Sequence, residues 1–125
     1  MDHIIRVDFS VKVTNQDIDD IVATALEGGI NYWCCKAEVV GEYLGDYASE
    51  QIARGGSLKL YDAEDDQVYD LNLDKLLKGI KLAIESQYFD EYDWYAANEL
   101  DCCSIDAMVA DCIIQCALFD DVIYG

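Results

Sequence analysis

The sequence predicts an α+β domain: a mostly antiparallel sheet in the N-terminal half, helices packed on one face of it, and a helical C-terminal half. Three observations predict this. Apolar and polar residues alternate over residues 3–13 and on both sides of an acidic turn at 63–66, the period of two that marks half-buried strands. Apolar residues recur every three or four positions over 18–26, 73–84 and 105–116, the period of one helix face. Strands gather early and helices late, so the two types segregate rather than alternate. The chain has 125 residues, which suits one domain, 1–125, large enough to bury a core.

The elements follow in order. In HIIRVDFSVKV (3–13), Ile5, Val7, Phe9, Val11 and Val13 share one face of an expected strand. Thr14 with Asp17 is a variant capping box, and Ile18, Ile21, Val22, Ala25 and Leu26 form the helix stripe behind it. Gly28 is expected to stop that helix in a left-handed cap. CKAEVV (35–40) reads as a strand, and ASEQIAR as a short helix ending at Gly55-Gly56. SLKLYD (57–62) and QVYDLN (67–72) read as a hairpin around AEDD. Asn72 caps the next helix, on which Leu73, Leu76, Leu77, Ile80 and Ile84 share a face. Residues 88–101 mix rings and acids without a period and read as a loop. Ser104 is the expected cap of the last helix, with Ile105, Met108, Val109, Cys112, Ile113 and Cys116 as its stripe. FDDVIYG at the end is expected to add a short strand.

Composition excludes some classes of function. The formal net charge is −18, which repels nucleic acid and attracts basic partners, so no nucleic-acid duplex is expected as a ligand. Hydrophobic residues make up 53%, too many for a disordered acidic tail. No apolar run is long enough to cross a bilayer, and MDHIIRVDFS shows no basic region followed by an apolar stretch. A soluble intracellular protein with no membrane partner is therefore expected. The six cysteines are then expected to be free thiols.

Nothing resembles a catalytic signature. The single histidine, His3, has no nucleophile motif near it, and no phosphate-binding loop or dinucleotide fingerprint is present. DAEDDQVYDLNL spaces Asp62, Glu64 and Asp66 like a calcium loop, but Gln67 and Leu73 stand where glycine and glutamate are needed. Cys112 and Cys116 lie four apart on an apolar stripe, where small core residues are the simpler reading. No enzyme activity, metal or cofactor is expected. The most suggestive stretch is 28–57. Arg54, one of two arginines, precedes Gly55, Gly56 and Ser57, and such a set of donors suits a phosphate. Asn31 offers a polar contact to a base or ribose, and Tyr32 and Trp33 offer rings for stacking. The plainer alternative is that the glycine pairs cap helices, the rings are core, and Arg54 pairs with a surface acid.

QDIDDIVATALEGGINYWCCKAEVVGEYLGDYASEQIARGG, LYDAE, LDKLLKGIKL and IDAMVADCIIQCALFDDVIYG together resemble small acidic proteins of phages and prophages of Clostridia and related Firmicutes. The likeness spans most of the chain outside roughly 87–101. Within that group the chain is most similar to the Thoeris anti-defence sponge family. That resemblance implies a homo-oligomer in the cytoplasm of an infected bacterium. It implies binding, without cleavage, of cyclic nucleotide signals, chiefly cyclic ADP-ribose isomers and also cyclic oligonucleotides. Arg54, Gly55, Gly56 and Ser57 would then face a phosphate, with Asn31, Tyr32 and Trp33 beside the base. The charge points to a rival: an acidic inhibitor of the anti-CRISPR type that fills the basic nucleic-acid channel of a host defence nuclease.

Overall fold

A computed structural model describes residues 2–5, 10–86, 95–96, 99–100 and 105–125. It is an α+β fold. Helix α1 spans Asn15–Thr24, followed by β1 (Cys34–Val39), β2 (Leu58–Asp62), β3 (Val68–Leu71), α2 (Leu73–Ser86), β4 (Tyr95–Ala96), β5 (Glu99–Leu100) and α3 (Ala107–Phe119). β1, β2 and β3 form an antiparallel sheet in that order, and β4 pairs with β5 antiparallel.

The sheet shows why its pattern was readable. Leu58 and Leu60 on β2 are fully buried and pair with Val39 and Ala37 of β1, while Leu71 on β3 pairs with Leu58. Lys36, Glu38, Lys59 and Tyr61 point the other way, and Lys36 and Glu38 form an ion pair at 3.0 Å. One face is thus apolar and covered, the other polar and wet. A register shift between Cys34 and Lys36 leaves Cys34 buried beside the exposed Cys35.

Caps set the helix starts. Thr14 Oγ1 accepts from Asp17 N–H at 3.0 Å and the Asp17 carboxylate accepts from Thr14 N–H at 2.9 Å, the reciprocal pair expected. Asn72 Oδ1 accepts from Lys75 N–H. Asp106 caps α3 by accepting from Val109 N–H; the expected cap, Ser104, lies outside the described residues. α2 and α3 cross closely at Gly79, where a Cβ would stand 2.8 Å from the Cβ of Ala117.

Five expectations are corrected. Of residues 3–13, positions 6–9 lie outside the described residues, and the rest form no strand beyond one bridge from Lys12 to Glu99. Ile4 and Ile5 are 90% and 84% exposed. An alternating sequence becomes a strand only where a sheet edge and a covering layer receive it. Gly28 does not cap α1 in the left-handed region. The helix widens into a π turn over Ala25–Gly29, and Gly29 sits where a Cβ would meet the carbonyl of Ala107 at 2.7 Å. Met108 and Leu77 are exposed; the buried face of α2 runs through Leu76, Gly79, Ile80 and Ala83, and that of α3 includes Ala110. Within the 88–101 segment read as a loop, only 95–96 and 99–100 are described, and they form the β4–β5 pair. Residues 120–125 form no strand; the N–H groups of Ile123 and Tyr124 bond instead to a side chain of α3, as described next.

Candidate functional site

A cleft of about 450 Å³ opens at the end of the sheet where β1 begins. Tyr32, Trp33, Asp62, Glu64, Tyr124 and Gly125 line it. The chain reaches it from four directions: the turn after α1, the end of β2, the acidic turn, and the C-terminal segment behind α3.

Gln115 organises the floor. It is fully buried in the middle of α3. Its Oε1 accepts from Ile123 N–H and Tyr124 N–H, both at 2.8 Å. Its Nε2 donates to Asp111 Oδ1 at 2.9 Å, to Tyr32 Oη at 3.1 Å and to the Tyr124 carbonyl at 3.3 Å. Asp111 also accepts from Trp33 Nε1–H at 2.8 Å and Tyr32 Oη–H at 2.6 Å. One amide therefore ties the C-terminal segment to the rings, since buried polar groups must find partners.

Asp62 anchors the other wall. Its Oδ1 accepts from the Glu64 and Asp65 N–H groups at 2.8 and 3.3 Å. Its Oδ2 accepts from Tyr124 Oη–H at 2.5 Å and Tyr69 Oη–H at 3.3 Å. These donors, the Tyr124 hydroxyl foremost, hold its carboxyl below the usual carboxylate range. Burial, then the bond to Asp111, pushes the Tyr32 hydroxyl up to about 12. The bond to Asp62 pushes that of Tyr124 up as well. Trp33 stacks on Tyr124 with centroids 5.0 Å apart and planes 5° from parallel, and Phe119 and Tyr69 close round them edge-on.

The residues singled out from sequence fall in two places. Tyr32 and Trp33 line the cleft, and Asn31 is exposed in the turn before them. Trp33 is 3% exposed, so its face already belongs to Tyr124. Arg54, Gly55, Gly56 and Ser57 lie at the far end of the β1–β2 ladder. Cys34 pairs with Asp62 at one end, and Val40 N–H bonds the Ser57 carbonyl beyond the other. Five residue steps of strand separate them, ~17 Å at about 3.4 Å per step. The Arg54 guanidinium meets Glu50 at 3.3 Å and Asp19 at 3.8 Å, and donates to the Glu50 carbonyl at 3.1 Å. Gly55 N–H donates to Ile52 and Gly56 N–H to Gln51. The Arg54 guanidinium and the Gly55 and Gly56 N–H groups thus already have partners within the chain, and one chain does not bring this segment to the rings.

Sequence reasoning missed Gln115, Asp111 and Tyr124. One signal was present: Gln115 is a lone amide in AMVADCIIQCALF, a helix otherwise almost wholly apolar. From sequence, Asp62 and Glu64 read only as part of a hairpin turn that lacks the residues of a calcium loop.

A second surface stands out on the 40–47 loop. Tyr43, Leu44 and Tyr47 are exposed. Buried Gln51 holds the loop by accepting from Leu44 N–H and donating to the Glu42 carbonyl, while Glu50 accepts from Asp46 and Tyr47 N–H. Among the described residues, no group of three or more metal-ligating side chains stands together, and no helix is long and apolar enough to cross a membrane. Cys112 and Cys116 are buried side by side in α3.

Comparison of the chain with protein-family models, with curated proteins and with solved structures finds no match.

Proposed function

We propose that this chain is a binding protein that performs no chemistry on its target, and that its target is a basic macromolecular surface. The observation that carries the reading is the lining of the cleft: rings, two carboxylates and a glycine, with no cation among the described residues. The chain's positive groups are few, and Arg54, Lys36 and Lys78 each pair with its own acids. An anion approaching the cleft meets a field of its own sign, whereas a basic partner is drawn in. The exposed Tyr43, Leu44 and Tyr47, set among Glu42, Asp46 and Glu50, supply apolar anchors of the kind that dominate protein interfaces. Taken with the resemblance to small acidic prophage proteins, this supports an inhibitor of a host defence nuclease, acting in the bacterial cytoplasm by occupying a channel that normally holds nucleic acid.

One observation favours the nucleotide-sequestering reading instead. The cleft is nucleoside-sized and has Tyr32 at its wall. Because Arg54 is remote, that reading needs a neighbouring copy to supply the phosphate contacts.

One experiment separates the two. The protein is expressed in bacteria carrying either a nuclease-based or a nucleotide-signalling defence, and phage plaques are counted. In parallel, its melting temperature is measured with cyclic ADP-ribose isomers and cyclic oligonucleotides. Rescue of phage in the nuclease strain only, with no thermal shift, is expected. A shift of several degrees with a cyclic nucleotide, lost in Arg54→Ala, overturns the basic-partner reading, since a ligand that binds the native state raises its melting point.

A further inference from the structure

The cleft has a chemistry more specific than its charge. We infer that it is a receptor for an organic cation, the guanidinium or ammonium group of an arginine, a lysine or a polyamine. This inference rests on the basic-partner reading and names the anchor that reading lacks.

The sign of the ring faces favours a cation. An aromatic face is the negative end of a quadrupole and attracts a cation within about 6 Å of its centre. Three rings border this cleft. Two of them, Tyr32 and Tyr124, donate their hydroxyl protons to the carboxylates of Asp111 and Asp62. Such a bond polarises the phenol, moves electron density toward the ring and makes its face more negative. The same bonds would do nothing for a neutral apolar guest, and they disfavour an anion.

The cleft is also preorganised. Asp62 is saturated by four donors, Asp111 by three, and Gln115 by five contacts. The rings are therefore fixed before any ligand arrives, which removes an ordering cost from binding. Trp33, 3% exposed, supplies edge and backing to Tyr124.

The groups in the cleft suit an organic cation and not a metal ion. A hard divalent cation needs six or more oxygen ligands. Asp62 has spent its lone pairs on protein donors, which leaves the exposed Glu64 carboxylate, unpartnered among the described residues, as the open anionic group on the rim. One carboxylate and the rings of Tyr32 and Tyr124 cannot hold a metal, yet they suit an organic cation, the weakly hydrated guanidinium most of all. At about 450 Å³ the cleft exceeds one guanidinium, so an arginine enters with flanking groups.

The experiment uses the whole chain and three probes: arginine ethyl ester, spermidine, and a peptide of alternating arginine and glycine. Binding is read by calorimetry and by the NMR signal of the Trp33 Nε1–H, assigned by its loss in Trp33→Phe. Saturable movement of that signal is expected. It should weaken about fivefold in Glu64→Gln, the measure of one exposed ion pair. It should weaken by a similar or larger factor in Tyr32→Ala, and stay unchanged in Glu85→Gln, an acid on α2 away from the cleft. Tighter binding of the peptide assigns the cation to a protein partner, and tighter binding of spermidine assigns it to a free polyamine; both support the site. Peptide binding that leaves Trp33 unmoved and is equal in all three variants overturns the site while the broader basic-partner reading stands. No binding of any probe overturns both.

Discussion

Replacing Gln115 by leucine tests the central claim about how this molecule is built. Leucine fits the apolar surroundings of α3, and helix propensity barely changes. What is lost is the amide. The N–H groups of Ile123 and Tyr124 lose their acceptor, and Tyr32, Asp111 and the Tyr124 carbonyl lose a donor. If the segment stays down, the N–H of half-buried Tyr124 goes unpaired at about 1–3 kcal/mol, and the N–H of exposed Ile123 loses a bond worth about 0.5–1.5 kcal/mol. If it lifts into water, the Trp33–Tyr124 stack goes, about 0.5–1.5 kcal/mol. The charge-assisted bond from Tyr124 to Asp62 goes with it, about 1.5–3 kcal/mol. Both routes converge on a net loss of about 2–4 kcal/mol. At ~2.1 cal/mol/K per residue the unfolding entropy of this chain is about 0.26 kcal/mol/K, so the melting temperature should fall by about 8–15 °C. Calorimetry measures the fall, and hydrogen exchange at the Ile123 and Tyr124 amides separates the routes. A melting point within about 2 °C of the parent, with those amides still protected, would refute the assigned role of Gln115.

Three further outcomes are expected. Gly79→Ala puts a methyl against Ala117 and the backbone of Ile113; it should lower stability by about 1–3 kcal/mol despite a helix-propensity gain of ~1 kcal/mol. A urea midpoint that rises would show that α2 and α3 do not cross that closely. The carboxyl of Asp62 lies below its unfolded value of about 3.9, so its contribution is full above that pH and fades as the pH falls through the folded value. Stability should therefore drop below about pH 4, and Asp62→Asn should flatten that limb; an unflattened acid limb counts against the donor shell. The hydrogen bond with Cys116, then burial, raises the Cys112 thiol, while Cys35 is exposed. Cys35→Ser should remove one thiol that reacts fast with an aromatic disulfide reagent and Cys112→Ser none; the reverse would place the helix pair at the surface.

Much of the fold could be read from the chain because local rules and tertiary demands agreed there. The β2–β3 hairpin, β1, the Thr14 and Asn72 caps and the course of α2 all follow from period and cap chemistry within about a dozen residues. The 3–13 stretch failed for the opposite reason: alternation states which face is apolar but not whether an edge exists to pair with it. The site was half legible. Tyr32 and Trp33 were found because rings beside glycines draw notice. The ion pairs of Arg54 were not legible, because a residue type carries no information about the acids that fold against it, here Glu50 and Asp19.

The sequence by itself determined the α+β class, the sign of the protein's field and the starts of α1 and α2, because each depends on periodicity, charge count or a cap only three residues from its partner. Only the tertiary structure decided that Asp62, Asp111, Gln115 and Tyr124 converge on one cleft. Those groups come from a strand end, a helix and the C-terminal segment, up to 62 positions apart. They meet because buried donors and acceptors must pair across whatever distance in sequence the packed core imposes.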